Sequence, residues 1–333
     1  MKTQPSVAIV GAGMSGLTCA TALKGLIDRV TVFDRNVFPG GRVSRFRAGD
    51  LEFNHGAQYF TVSNPLFWNI VSAWQTDGIV RPWNGWIVEL NNGQIVNSDM
   101  SVQRYVGVPR MQVVAENLAR HCQILTSTNI TELERREDGR WCLFSERGDY
   151  QGSFDIVIIA TAAHQVSSLC ANVPAIARLA DNVNMTACWS GMFAFDKRLN
   201  VPYDAAHVLN SPVSWISRYQ YSEAPAKSDC WVVHASPEWS QQHVASFRGR
   251  VMSALLDAFW DAIDLDQQPP SFSSVHCWKY AQPINPINQD SVFVEDQALG
   301  ACGDWCTAPR VEGAVLSGFS MADRVMKFVN KQQ

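Results

Sequence analysis

The chain has 333 residues, 47% hydrophobic and 17% charged, which is enough apolar matter for a buried core and excludes disorder as the overall state. Its 27 Lys and Arg against 31 Asp and Glu leave a net charge of −4, which argues against a nucleic-acid or anionic-membrane binder. The length suits one large or two closely joined domains.

The 9 cysteines are odd in number and scattered. With no Cys-x-x-Cys pair, they predict neither a disulfide framework nor a zinc site, and no metal is expected. Free thiols fit a reducing cytoplasm. The longest apolar run, Ile156–Ala163, falls short of the roughly 20 residues needed to span a bilayer.

In chain order, Ser6–Val10 reads as a short buried strand. Gly11-Ala12-Gly13-Met14-Ser15-Gly16 follows at once, then a helical stretch over Leu17–Ile27, then a strand over Val30–Phe33 that ends at Asp34-Arg35. Strand, glycine turn, helix, strand and acid in this order form a dinucleotide-binding unit. Gly11 permits the tight turn, Gly13 lets backbone approach a pyrophosphate, and Gly16 lets the helix pack on the strand. The helix N-terminus offers N–H groups and a positive dipole end to phosphates. Asp34 is placed to accept from ribose hydroxyls.

Pro39-Gly40-Gly41-Arg42 comes next. An ordinary NAD domain needs no second glycine-arginine turn here, whereas the longer FAD does, with Arg42 set against its pyrophosphate or neighbouring ribose. In Asn54-His55-Gly56-Ala57-Gln58-Tyr59-Phe60, small residues leave room for a flat ring. Near the other end lie Cys302-Gly303-Asp304-Trp305 and Arg310-Val311-Glu312-Gly313-Ala314. Asp304 is placed to bond a ribityl hydroxyl. A helix opening at Gly313-Ala314 would aim N–H groups at a flavin carbonyl.

Between these blocks, Trp86–Leu90 and Gln94–Val96 flank Asn91-Asn92-Gly93 as a hairpin. Arg104–His121 reads as helical, and Gln123–Leu133 and Asp155–Ile159 as strands. Thr186–Phe195, Pro212–Tyr219, Cys230–Ala235 and Phe272–Tyr280 are strand-like and aromatic, and predict one mixed or antiparallel sheet. Trp239–Ile263 reads as a single long helix with one face on that sheet. Tyr59 and Trp278 are the candidate catalytic residues, lining a pocket between the two parts.

These motifs resemble the FAD-dependent amine oxidase superfamily. The His55–Thr61 and Gly303–Ala314 blocks narrow the likeness to its renalase-like members. The resemblance implies an α/β (α+β) fold, with a Rossmann-type FAD domain built from residues 1–61, 104–165 and 285–333. A mixed-sheet substrate domain with helices would comprise residues 62–103 and 166–284. It further implies Ile130 near the adenine and Thr161 near the FAD ribose. It adds to a cofactor set of Gly11, Ala12, Gly13, Met14, Ser15, Gly16, Asp34, Arg35, Gly41, Arg42, Ala57, Gln58, Gly303, Asp304, Val311, Gly313 and Ala314. No Ser-Gly-Gly-Cys-Tyr type segment is present, so noncovalent FAD is expected, with Cys306 structural.

The renalase-like likeness implies a dihydronicotinamide substrate, an isomeric NAD(P)H giving up hydride to flavin. O2 would take the electrons and form hydrogen peroxide. On the residues alone, two other readings stay open. One is a flavin amine oxidase or desaturase acting on another small apolar donor. The other is an FAD-binding protein without catalysis. The oligomeric state is not set by these residues.

Overall fold

The computed structural model describes residues 5–98, 102–219 and 228–332. Residues 1–4, at the head of the expected first FAD segment, lie outside the described residues. A six-stranded sheet runs in the spatial order Gln123–Leu125, Arg29–Phe33, Ser6–Val10, Ile156–Ile159, Leu299–Ala301 and Val292–Val294. The first five strands are parallel and the last is antiparallel. Parallel strands are covered on both faces, which is why the central two are continuously apolar.

Strand alternation divides that cover. Val7, Ile9, Ile156 and Ile158 face the helices Met14–Leu23 and Val311–Gln332. Ala8, Val10, Val157 and Ile159 face the other way. There they meet a three-stranded antiparallel sheet (Ile130–Arg135, Trp141–Ser145, Tyr150–Phe154) and the helices Ala163–Leu169 and Pro174–Asp181. The two long helices pack closely because Gly318 has no side chain. A Cβ there would lie 2.4 Å from Ser15 O and 2.9 Å from Thr18 Cβ.

A second, seven-stranded sheet has the order Phe272–Pro283, Met185–Phe195, Asp229–Ala235, Val213–Arg218, Ala205–Leu209, Ile87–Asn91, Gln94–Ser98. It is mixed, with one parallel pair, Ala205–Leu209 beside Ile87–Asn91. One face packs Trp189, Phe193, Val233, Ile216, Ala206 and Val88 with Val251, Leu255 and Phe259 of the helix Arg248–Ile263. The hairpin turns through Asn92 at φ 48° and Gly93 at φ 76°, the left-handed pair that a two-residue turn requires.

Several expectations are corrected. Arg104–His121 is not one helix: Arg104–Gly107 is a strand paired with Phe60–Thr61 and Val80–Pro82, and the helix is Val113–Ala119. Pro109 bars helical continuity and pushes Val108 toward extended backbone. Gln123–Leu133 is two strands in two sheets, Gln123–Leu125 and Ile130–Arg135, with Ser127 at φ 53° between them.

Trp239–Ile263 is also two elements, Pro237–Gln242 and Arg248–Ile263. The His243 carbonyl, which would continue the first helix, accepts instead from the Trp189 indole at 3.0 Å and from Ser246 N–H at 2.9 Å. The glycine-turn helix starts at Met14 and ends at Leu23, earlier than Leu17–Ile27 at both ends. The packing also redraws the expected division. Phe67, Val71 and Trp74 of the helix Pro65–Thr76 share a core with Val7 and Ile9, and the helices over 163–181 pack beneath the same parallel sheet. Residues 62–82 and 163–184 thus go with the parallel sheet.

Replacing Gly318 by Leu forces the two long helices apart. Overpacking of this kind costs about 1–3 kcal/mol. Denaturant unfolding of the Gly318→Leu variant is expected to show a midpoint lowered accordingly; a midpoint equal to that of the wild type would remove the close approach.

Candidate functional site

The glycine turn is built by three different constraints. Gly11 sits at φ 112°, where a Cβ would lie 2.6 Å from Ala160 O, and a Cβ on Gly16 would lie 2.0 Å from Gly11 O. These two glycines are demanded by the protein's own packing. Gly13 differs, since a Cβ there meets nothing within 4 Å. Its missing side chain leaves open space above the N-terminus of the helix Met14–Leu23. Thr161 Oγ1 is buried beside this turn with no hydrogen-bond partner among the described residues. Open space at the N-terminus of a helix, with the Thr161 hydroxyl uncommitted beside it, fits a dinucleotide.

The second glycine turn docks on the first. Gly40 N–H donates to Ala12 O at 2.9 Å, with Gly40 at φ 131° and Gly41 at φ 53°. Asp34 is buried, and its carboxylate accepts from Ala12 N–H at 2.7 Å, Asn36 N–H at 2.7 Å and Asn36 Nδ2 at 2.9 Å. It therefore braces the turn itself and keeps only its remaining lone pairs for a ribose. Arg35 is exposed. The loop before Ile130 runs along this acid, with Thr128 N–H donating to Asp34 O at 2.8 Å, and Ile130 is buried beyond it.

Arg42 and Asp304 were expected to meet the cofactor separately, and the structure pairs them with each other. The guanidinium donates to Asp304 Oδ2 and Oδ1 at 2.7 Å each, and to Ala281 O at 2.8 Å. Burial works against the Arg42 charge, but Asp304 outweighs it and raises the pKa above its ordinary value. The C-terminal helix opens at Val311, two residues before the expected Gly313. The Ala314 N–H already donates to Arg310 O at 3.1 Å, so it is not available to a flavin carbonyl. Gly313 is demanded by packing, since a Cβ would lie 2.2 Å from Ala308 O.

The block 55–59 lies against the Arg42 turn. Ala57 N–H donates to Arg42 O at 2.8 Å, and a Cβ on Gly56 would lie 2.0 Å from the same oxygen. Gln58 is buried and its amide donates to Asn54 O. Trp278 and Tyr59 have different immediate neighbours. Trp278 packs on His55 (ring centroids 4.8 Å) and His276 (4.4 Å), and donates its indole N–H to His55 O at 2.9 Å. Tyr59 packs with Trp83 at 5.7 Å and Trp215 at 5.5 Å, with the Arg104 guanidinium 5.3 Å from its ring centre.

Strand register explains these neighbours. Reading across the seven-stranded sheet, His276 pairs with Ser190, Ser190 with His234, His234 with Trp215, Trp215 with His207, and His207 with Glu89. Directly paired residues share a face. This row therefore lies on the face opposite the helix Arg248–Ile263, toward block 55–59. Ser190 Oγ, Trp215 Nε1 and His55 Nδ1 are buried there without partners among the described residues.

Burial, then His276 and His234, push His55 down to about 3. Burial takes His234 down to about 4, and it also lowers His276, with Arg248 adding to the effect. All three imidazoles are neutral at pH 7. Trp83, Trp215, His234 and Glu312 were absent from the sequence-derived site. Period-2 alternation could have placed Trp215 and His234 on one face of their strands, but nothing local brings the four together. Among the described residues, no group of three or more His, Cys, Asp or Glu could hold a metal ion, and no helix is long and apolar enough to cross a membrane.

Two family models match the chain. The NAD(P)-binding Rossmann-like domain covers residues 9–74, and the flavin containing amine oxidoreductase covers residues 83–326. The chain belongs to the flavin containing amine oxidoreductase family. Its fold is similar to that of a candidate protoporphyrinogen oxidase from Exiguobacterium sp. 255-15 (11% identity, TM-score 0.79). It is also similar to wild-type putrescine oxidase bound to putrescine (12%, 0.73) and to cyclohexylamine oxidase from Brevibacterium oxydans IH-35A (14%, 0.72). Each alignment covers 97% of this chain and 99% of the other.

The α/β Rossmann-type segment joined to a mixed-sheet part is as expected, and the cofactor is FAD. The expectation of a dihydronicotinamide substrate is corrected. The similar structures that share the whole fold include oxidases of putrescine and cyclohexylamine, which are amines.

Gly13→Val is expected to fold like the wild type, because its side chain enters open space, yet to purify without yellow colour. The ratio of flavin to protein absorbance, read beside the circular dichroism spectrum, checks both halves. A second expectation concerns pH. The buried histidines resist protonation while the unfolded chain takes up protons below about 6.5. Stability is therefore full above pH 6.5 and falls as pH drops toward 5, a window in which most carboxylates stay ionised. Urea midpoints measured across that window should decline, and His234→Gln should flatten the decline.

Proposed function

We propose that this FAD-dependent oxidoreductase oxidises small apolar amines and passes the electrons to O2 with formation of hydrogen peroxide. The observation that carries the reading is the aromatic cluster of Tyr59, Trp83 and Trp215 beside Ala57-Gln58, continued by the row His234, Ser190 and His276. Its rings are apolar and the imidazoles of His234 and His276 are neutral at pH 7; the charges beside it are the Arg104 guanidinium over Tyr59, which would repel an ammonium, and Glu89 at the far end of the row. This wall suits an apolar donor carrying a neutral amine. Bound FAD supplies hydride acceptance.

The residues of the chain do the rest. Gly13 leaves room and Thr161 a hydroxyl for the dinucleotide, and the Arg42–Asp304 pair acts as one unit beside it. Tyr59 and Trp215 exclude water from the donor and orient it. Cys306 is fully buried, and burial pushes its thiol far up, so no thiolate is offered for covalent attachment and FAD is held noncovalently. The nine cysteines are all unpaired, which supports a reducing, cytoplasmic setting.

Anaerobic mixing of the FAD-loaded protein with benzylamine, cyclohexylamine and putrescine, followed at the flavin band, tests the reading. Bleaching by the apolar monoamines, with aldehyde or ketone formed in air, is the expected result. A flavin band that no amine bleaches would overturn it. Trp215→Leu should lower kcat/KM by roughly tenfold, the scale of one aromatic contact of about 1.4 kcal/mol, with FAD content unchanged.

A further inference from the structure

Residues 54–64 run between the two large sheets, and distant parts of the chain grip them at both ends. At the first end one carbonyl takes two donors. His55 O accepts from the Trp278 indole N–H at 2.9 Å and from His234 Nε2 at 3.2 Å. Trp278 belongs to the strand Phe272–Pro283 and His234 to the strand Asp229–Ala235, so two strands of the seven-stranded sheet hold one backbone atom. A carbonyl oxygen has two lone pairs, and both are filled. The His55 ring itself packs on Trp278 and His276.

At the second end the grip is a carboxylate. Glu312, in the first turn of the C-terminal helix, accepts from Ser63 N–H at 2.8 Å, Ser63 Oγ at 2.7 Å and Asn64 N–H at 2.7 Å. It is 4% exposed, and burying a charge is unfavourable unless donors satisfy it. Burial would raise its pKa, but the Ser63 and Asn64 donors and Arg310 outweigh that and hold it below the usual range. Asn64 also caps the helix Pro65–Thr76, accepting from Leu66 N–H at 2.8 Å, so the same anchor fixes where that helix begins.

We propose that His234, Trp278 and Glu312 are positioning residues that clamp segment 55–64 at two points and thereby set the environment of the flavin through Ala57, Gln58 and Tyr59. Neither grip is a simple apolar contact. A phenylalanine would fill the place of Trp278 without donating, and a leucine would fill that of His234. The inference rests on the proposed placement of Ala57 and Gln58 against the cofactor.

The test uses FAD-loaded Trp278→Phe, His234→Leu, His234→Gln and Glu312→Gln. Its readouts are amide hydrogen exchange across 54–64 and the position of the flavin absorption bands. Trp278→Phe and His234→Leu should speed exchange at 55–59 by at least about tenfold, as a local opening, and shift the flavin bands. His234→Gln, which keeps a donor, should restore both. Glu312→Gln should speed exchange at 62–66 and leave the far sheet protected. Wild-type exchange and spectra in Trp278→Phe and His234→Leu would overturn the proposal. So would faster exchange spread evenly over the whole chain with loss of FAD, which would mark a general structural role. No amine enters these measurements, so a failure of the substrate reading leaves them interpretable.

Discussion

The pair formed by Arg42 and Asp304 is the contact on which the site's assembly depends. Its two parallel hydrogen bonds, each 2.7 Å, join the second glycine turn to the C-terminal block, and a third bond to Ala281 O brings in the end of the longest sheet strand. Three segments far apart in sequence therefore meet at one guanidinium. Bidentate geometry fixes orientation as well as distance. The Asp304 side chain is 5% exposed against 34% for Arg42. Loss of the arginine would leave a buried carboxylate without its main partner, a far larger penalty than loss of a surface ion pair. Around this knot the docking of Gly40 on Ala12 and of Ala57 on Arg42 O follows from backbone geometry alone.

The seven-stranded sheet shows how one element serves stability and chemistry together. Its strands carry a helix-facing set of Trp189, Phe193, Val233 and Ile216, packed as a core. The alternate positions carry Ser190, His234, Trp215 and His207 in one lateral row. Because side chains alternate at every residue, a shift of one position would exchange the two sets. The apolar face thereby holds the register that lines up the polar one. Within that row His234 stays neutral because burial disfavours the imidazolium, and neutrality is what lets a largely dry wall contain it.

The glycine turn and the Gly40-Gly41-Arg42 turn were legible because each is a local requirement: a left-handed φ, a close approach, or open space for a ligand must be met by particular residues at a fixed spacing. The hairpin at Asn92-Gly93 was legible for the same reason. Helix ends were less so. The break after Gln242 depends on a carbonyl captured by Trp189, more than fifty residues away in sequence, and nothing local announces it. The strand at Arg104–Gly107 looked helical in composition until its pairing with Phe60–Thr61 is considered. Asp34, Arg42 and Asp304 stand out in the sequence as candidate site residues, but their contacts within the protein do not: Arg42 and Asp304 bond each other, and Asp34 braces its own turn.

The amino-acid sequence by itself determined the dinucleotide unit, the need for a longer cofactor than NAD, and the aromatic sheet of the second part. Each of these is written in short-range spacing, where local sterics and period-2 or helical alternation act. Only the tertiary structure decided that Trp278 grips a backbone carbonyl, that Tyr59 belongs with Trp83 and Trp215, and that Glu312 anchors the segment between them. Those contacts depend on register and on the docking of distant segments. A hydrogen bond across two hundred residues leaves no period in the chain from which to read it.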